Sequence, residues 1–273
     1  MNHFDDQQLD DFATSFYQYG PTTAPYVLIG MEEGGGNDFN NVQRRLDAWE
    51  RRGRRGVDDI KEFHEEFGEG QFFDPIQPAR QQTWSTLSAL MCAINGQQPH
   101  SDAVREFRLN KLGRSNGQTW LTELLPLPSP SKDHFYYHGW SSLPWLQDRE
   151  HYVAHYAPLR AVYLRKKIEA SCPQAVIFYS KDQMFQPWWR MIAGTTFERV
   201  SASGIELARE GRTLYAVIEH PRSFGGYDYF VEAGRIIATA LQSYQLPRST
   251  SLRANGPKGR SIQRNFWHGS DTC

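Results

Sequence analysis

Residues 26–36 read Tyr-Val-Leu-Ile-Gly-Met-Glu-Glu-Gly-Gly-Gly. The apolar run Tyr26 to Ile29 has no polar interruption and stops at a glycine cluster, the pattern of a buried strand whose C-terminal end delivers a loop. The pattern recurs along the chain. Thr119 to Leu125 (TWLTELL) forms a second strand, closed by Pro126, Pro128 and Pro130, which cannot continue a central ladder. Ala175 to Tyr179 (AVIFY) follows Pro173, and Leu214 to Ile218 (LYAVI) ends in Glu219, His220 and Pro221. Helical spacing fills the intervals. Gln82 to Ile94 aligns Trp84, Leu87, Leu90, Met91 and Ile94 on one face, and a helix runs from about Tyr156 to Ser171 with Arg160, Arg165, Lys166 and Lys167 among its polar positions. A final helix, Phe230 to Tyr244, packs Val231, Ile236, Ile237, Ala240 and Leu241. Short continuous apolar strands separated by helices predict a three-layer α/β/α sandwich around a central, mostly parallel four-stranded sheet. Ligands bind beyond the carboxyl ends of such strands. Three ends carry unusual residues: GMEEGGG (30–36), TELLPLP (122–128) and HPRSFGG (220–226).

The 273 residues, 39% of them hydrophobic, suffice for one full core, expected over residues 1–246. Residues 247–273 hold five basic residues against one acidic, with Gly, Pro and Ser throughout, and read as a mobile basic arm. Cys92, Cys172 and Cys273 are too few and too scattered for a disulfide framework, a four-cysteine zinc site or an iron–sulfur cluster. No cofactor is expected. The acidic start MNHFDDQQLDDF lacks a basic n-region and an apolar h-region, and nowhere do 18 apolar residues run together. A cytoplasmic protein without a membrane partner, and a monomer, is expected.

With 30 Lys+Arg against 31 Asp+Glu there is no global attraction to polyanions, so any nucleic-acid contact must be local. The most basic stretch holds Arg44, Arg45, Arg51, Arg52, Arg54 and Arg55, inside a charge-dense segment from Asn41 to Phe67 that also reads as one or two solvated helices. GMEEGGG lacks the GxxxxGK[ST] pattern and has two carboxylates where a phosphate would sit, which argues against a Walker or dinucleotide site. Gly34, Gly35 and Gly36 let a backbone approach a ligand closely, while Glu32 or Glu33 supplies negative charge. HPRSFGG places a histidine at a strand end. HExxH, GxSxG and paired zinc-ligand spacings do not occur, which removes the common metallo- and serine-hydrolase readings.

In their order along the chain, GMEEG, TELLPLP and HPRS resemble the motifs of the uracil-DNA glycosylase superfamily, over roughly Tyr26 to Leu241. In that family a G-x-D/N/A-P-G/Y loop carries the catalytic position, a strand ending in Asn reads the base, and an H-P-S type loop supports the leaving base. Gly30 and Met31 match the start of the first motif, Glu32 falls where relatives place Asp or Asn, and Glu33 stands where they usually have proline. The resemblance makes Glu32 the expected catalytic carboxylate, with Glu33 in reserve. A carboxylate beside the oxocarbenium-like sugar stabilises its charge and takes a proton from water. His220 and Pro221 match the third motif, whose histidine contacts the base carbonyl as charge develops there. Arg222 replaces the usual serine, Ser223 is placed to bind phosphate, and Phe224 to wedge into the duplex or to cover the sheet edge.

At the second motif relatives have Thr-Asn and this chain has Thr122-Glu123. An ionised glutamate is acceptor-only, so it repels uracil O4 and matches the exocyclic amine of cytosine, whereas a protonated one could donate. Removal of ordinary cytosine would destroy the host genome. The expected activity is therefore excision of a modified cytosine, such as the hydroxymethylated or glucosylated base of phage DNA, which would make the protein an anti-phage defence enzyme. The loop Ser131 to Trp145 and the gap at Gly34 to Gly36 would make room for the added group. Expected DNA contacts are Arg44 to Arg55, including Arg52 and Arg55, with Lys132, Arg222 and the tail residues Arg248, Arg253, Lys258, Arg260 and Arg264. Phe39, Phe72 and Phe73 are candidates to stack on the base, or else core. A non-catalytic nucleic-acid-binding module on the same fold and a small-molecule nucleoside hydrolase are the alternatives.

Overall fold

The computed structural model describes residues 2–222 and 226–245. The expected wedge Phe224, the phosphate ligand Ser223 and the basic tail with its five cations lie outside the described residues. Helix α1 (Asp6–Ser15) starts at Asp5, whose carboxylate accepts from the N–H groups of Gln7 and Gln8. Strand β1 (Tyr26–Glu32) is followed by α2 (Phe39–Arg51) and α3 (Ile60–Glu66), capped in the same way by Asp38 and Asp59. Helices α4 (Gln82–Ile94) and α5 (Ser101–Asn110) precede β2 (Thr119–Leu125). Helix α6 (Arg149–Ser171) leads to β3 (Ala175–Phe178) and α7 (Gln186–Ala193). Strands β4 (Glu198–Arg199), β5 (Glu206–Glu210) and β6 (Thr213–Val217) and helix α8 (Gly226–Gln245) complete the order.

The sheet has six strands in the order β2-β1-β3-β6-β5-β4, which corrects the expected four. The neighbours β2, β1, β3 and β6 are mutually parallel and are the four strands read from the sequence. Strand β5 turns back from β6 through Gly211 and Arg212 and pairs antiparallel, and the two-residue β4 pairs antiparallel with it. Of the two, β4 is the edge strand. The sequence of β5, ELARE, is only half-buried and lacks the continuous apolar run that marks a strand covered on both faces. Helix α4 packs on α8 and α5, while α6 packs on β2, α1 and α7, an arrangement compatible with three α/β/α layers. Val27, Leu28, Ile29, Val176, Ile177 and Ala216 are wholly buried between them. Each large aliphatic side chain so buried stabilises the fold by about 1.5–3 kcal/mol.

Register decides what the sheet presents. Ile29 pairs with Thr122 and Phe178, and Phe178 with Val217, so Gly30, Glu123, Tyr179 and Ile218 leave the four parallel strands in one row. Helix α6 begins at Arg149, not near Tyr156 as expected from the sequence. Pro158 reads as a helix boundary because it lacks an N–H and crowds the preceding turn, yet here it sits inside the helix. Asp148 caps the extra turns by accepting from His151 N–H at 2.9 Å, which carries Arg149 to the edge of the sheet where the row of strand ends opens. No helix among the described residues is long and apolar enough to cross a membrane.

Candidate active site

The ends of the parallel strands open into a cleft of about 1030 Å³ that brings Met31, Glu32, Glu33, Glu123, Tyr179, His220 and Arg222 together. The three unusual strand ends therefore converge. Glu32 and Glu33, adjacent in sequence, meet different partners. Arg149 Nη2 lies 2.7 Å from Glu32, whose side chain is 7% exposed, and Tyr152 adds a hydrogen bond. Burial raises the Glu32 carboxyl more than these partners lower it, to about 7. Glu33 is also buried, but Arg45 Nη1 at 2.8 Å and the donated hydroxyl of Tyr19 at 3.1 Å hold it below the usual carboxylate range. His64, 3.7 Å away, is pushed down to about 4 chiefly by burial, so Arg45 is the lasting counter-charge at neutral pH. Glu33 is thus a fixed anion, and Glu32 is poised to exchange a proton.

Glu123 reverses the assumption of an ionised base reader. Burial pushes its carboxyl up to about 8, aided by the charges of Glu33 and Glu32 and opposed by Tyr179 and Arg160. It is a neutral acid at pH 7, so the repulsion from a carbonyl inferred from an ionised Glu123 does not arise. The Tyr179 hydroxyl donates to Oε1, while Oε2 has no hydrogen-bond partner. Tyr179 itself is held well above the ordinary tyrosine range, first by burial and then by Glu123, and stays a donor. Gly30 makes this packing possible: a Cβ there would lie 2.0 Å from Glu123 Oε2 and 2.4 Å from the Tyr179 ring. Gly36, at φ +63°, likewise lets the loop pass the Pro128 carbonyl, which a Cβ would meet at 2.3 Å.

His220 is pushed down to about 4, first by burial and then by the charge of Arg222. Its Nδ1 faces the backbone N–H of Arg222 at 3.2 Å and accepts from it, so the neutral ring carries its proton on Nε2.

Other expected site residues lie elsewhere. Thr122 is fully buried with its hydroxyl unpartnered and does not line the cleft. Phe39 stacks on Phe4 at 4.3 Å beside Trp140, and Phe73 is buried against His64 and Trp84; neither reaches the cleft, whereas Phe72 does. The arginine cluster is tied down by acids. Arg52 pairs with Asp58 and Glu62 at 2.5 and 2.6 Å, Arg55 reaches Asp58 at 3.5 Å, and Arg44, Arg51 and Arg54 pair with Glu69, Glu66 and Glu50. Of this cluster only Arg45 lines the cleft, and Lys132 lines it paired with Asp182 at 3.3 Å.

Sequence reasoning missed Tyr179, Arg149, His64, Arg80 and Trp84 as cleft residues, and had Arg45 only within the run of expected DNA contacts. Tyr179 stands at a strand end like Glu32 and His220, and that position was its available signal. Among the described residues no cluster of three or more His, Cys, Asp or Glu side chains is placed to hold a metal ion. Among known proteins, no family model and no curated protein matches the chain. The chemistry of the cleft must be read from its own groups: a proton acceptor near neutrality, a neutral carboxylic acid and an imidazole N–H donor.

Proposed function

We propose that the protein is a DNA glycosylase that turns a modified cytosine-type base out of the strand and hydrolyses its N-glycosidic bond, leaving an abasic site. One observation carries the reading: Glu32 near 7, Glu123 near 8 and a neutral His220 share one cleft at the ends of parallel strands. Neighbouring carboxyls with unequal protonation define separate acid and base roles. In the reaction the bond between C1′ and the base nitrogen breaks, its electron pair leaves with the base, and water adds to C1′. Glu32, when ionised, stabilises the oxocarbenium-like sugar and takes the proton that water releases. His220 Nε2–H donates to the base carbonyl on which charge gathers, an interaction stronger in the transition state than before it.

Glu123 supports a pyrimidine edge. The Tyr179 donation marks Oε1 as the carbonyl oxygen, with a lone pair to spare, and Oε2 as the hydroxyl. A cytosine edge accepts at N3 from Oε2–H and donates its exocyclic amine to Oε1. Uracil carries the same two functions in the opposite order and meets the same neutral carboxyl turned over, so the substrate panel separates the two rings. The cleft, about 1030 Å³, lies at the upper end of small-molecule pockets and leaves space beside a single base, walled by Phe72, His64 and Trp84. That space suits an added group such as hydroxymethyl or glucosyl, and the strand-end motifs that resemble the uracil-DNA glycosylase superfamily agree with the chemistry.

The test is an abasic-site assay on DNA carrying uracil, cytosine, methylcytosine, hydroxymethylcytosine or its glucosylated form, with wild type and Glu32→Gln. Alkali-labile sites in one modified-cytosine substrate, lost in the variant, are the expected result. Release of base from free nucleosides alone would replace the reading with a nucleoside hydrolase. Binding with no abasic product on any DNA would replace it with a non-catalytic module.

A further inference from the structure

Five cations line the cleft, and three are neutralised within it: Arg45 by Glu33 at 2.8 Å, Arg149 by Glu32 at 2.7 Å and Lys132 by Asp182 at 3.3 Å. Arg80 and Arg222 are different. Both are exposed, and among the described residues neither guanidinium has a carboxylate, hydrogen-bond or ring partner. They also hang from touching segments. Arg80 stands just before α4, whose Gln82 amide donates to the carbonyl of Pro221 at 3.4 Å, and Pro221 immediately precedes Arg222. The floor of the cleft holds the fixed anion Glu33 and the titrating Glu32, and the rim near Lys132 carries Asp133 and Asp182. A phosphate is repelled from these parts, Glu69 is paired with Arg44 at 3.6 Å, and the unpaired arginines are what attract it.

We infer that Arg80 and Arg222 form a two-point clamp for the phosphate adjoining the base that enters the cleft. A planar guanidinium fork matches phosphate oxygens, and two such forks on one rim fix the position of the group as well as its charge. The shared chemistry is a phosphate next to a base. Its source is a nucleic-acid strand or a free nucleotide, and the inference rests on the glycosylase reading for choosing the strand. The acids beside Lys132 then disfavour the strand there and leave it to the arginines.

The experiment measures binding, without requiring turnover. Anisotropy of a short fluorescein-labelled single strand is followed from about 50 to about 300 mM salt for wild type, Arg80→Gln, Arg222→Gln and the double variant. Lys166→Gln, an exposed lysine on α6 outside the cleft, is the control. One neutralised phosphate contributes about 0.7 to the slope of log K against log salt, so the double variant should lose about that much and each single variant a part of it. The control should keep the wild-type slope. A nucleoside 5′-monophosphate is run as competitor and titrated alone. An unchanged slope in the double variant overturns the clamp, even where the abasic-site assay succeeds. Monophosphate binding that the variants weaken, with no strand bound by wild type, keeps the clamp and overturns the nucleic-acid reading. Failure of wild type to bind either probe overturns the clamp.

Discussion

The hydroxyl of Tyr179 donates to Oε1 of Glu123 and leaves Oε2 without a partner, so the carboxyl that burial holds neutral has one oxygen committed and one available. Tyr179→Phe removes the contact that most lowers the Glu123 carboxyl, which should move it further above about 8. The alkaline limb of kcat/KM should shift to higher pH, and stability should fall by about 1 kcal/mol. An unmoved alkaline limb would detach Tyr179 from the ionisation of Glu123.

Gly30→Ala should abolish activity with moderate loss of stability. The new methyl would meet Glu123 Oε2 at 2.0 Å and the Tyr179 ring at 2.4 Å, and overpacking of this kind costs roughly 1–3 kcal/mol. Urea denaturation beside the abasic-site assay separates the two effects. Full activity in this variant would mean that Glu123 and Tyr179 do not need their present placement.

Activity should peak in a narrow window. Glu32 must be ionised and Glu123 protonated, so kcat/KM should rise towards about pH 7 and fall beyond about pH 8. Arg149→Gln removes the cation that lowers Glu32 and should push the acidic limb upward, by about one pH unit if it removes roughly 1.4 kcal/mol of attraction. A pH profile of the variant that overlays wild type would take Glu32 out of the base role.

Glu123 also links stability to pH. The folded state keeps its proton up to about pH 8, while the unfolded chain releases it near 4.5. The associated stabilisation is complete below the unfolded value and is lost as pH rises through the folded one. Glu123→Gln carries no such proton, so its stability relative to wild type should improve by roughly 1 kcal/mol per pH unit across that interval. Urea midpoints at pH 6 and pH 8 decide it, and parallel trends in both proteins would contradict the raised carboxyl.

Arg160 holds the backbone of Glu123 from behind. It is 1% exposed, donates through Nε and Nη2 to the Glu123 carbonyl at 3.1 and 2.9 Å and through Nη1 to the Phe16 carbonyl at 2.9 Å, and lies over the Tyr17 ring. Arg160→Lys keeps the charge and loses the fork. Stability should drop by roughly 1–3 kcal/mol, and discrimination between modified and ordinary cytosine should weaken. Unaltered discrimination in a destabilised variant would make Arg160 purely structural.

What could be read in advance followed from local pattern. The parallel strands and α4 were visible because a strand covered on both faces is a continuous apolar run and a buried helix face repeats at helical spacing. Glu32, Glu123 and His220 were visible because each ends such a run. Arg45 and His64 were hidden among the charges of residues 41–67, since their burial depends on Glu33 and Trp84, which arrive from other parts of the chain. Arg149 was hidden behind Pro158, and β5 behind the charges at Glu206, Arg209 and Glu210. The protonation of Glu123 depends on desolvation and on Tyr179, 56 residues away, and no spacing rule carries that information.

The pairing of Arg44, Arg51, Arg52, Arg54 and Arg55 with neighbouring acids has a kinetic consequence. Opposite charges a few ångströms apart cancel at a distance, so this surface projects little long-range field. An encounter through it proceeds by unsteered diffusion, on the order of 10⁵–10⁶ M⁻¹s⁻¹, with a short dwell on any site that does not fill the cleft. If the proposed activity on nucleic acid holds, a long polymer is sampled by frequent detachment and rebinding, and selectivity lies in the minority of visits that end with a base in place.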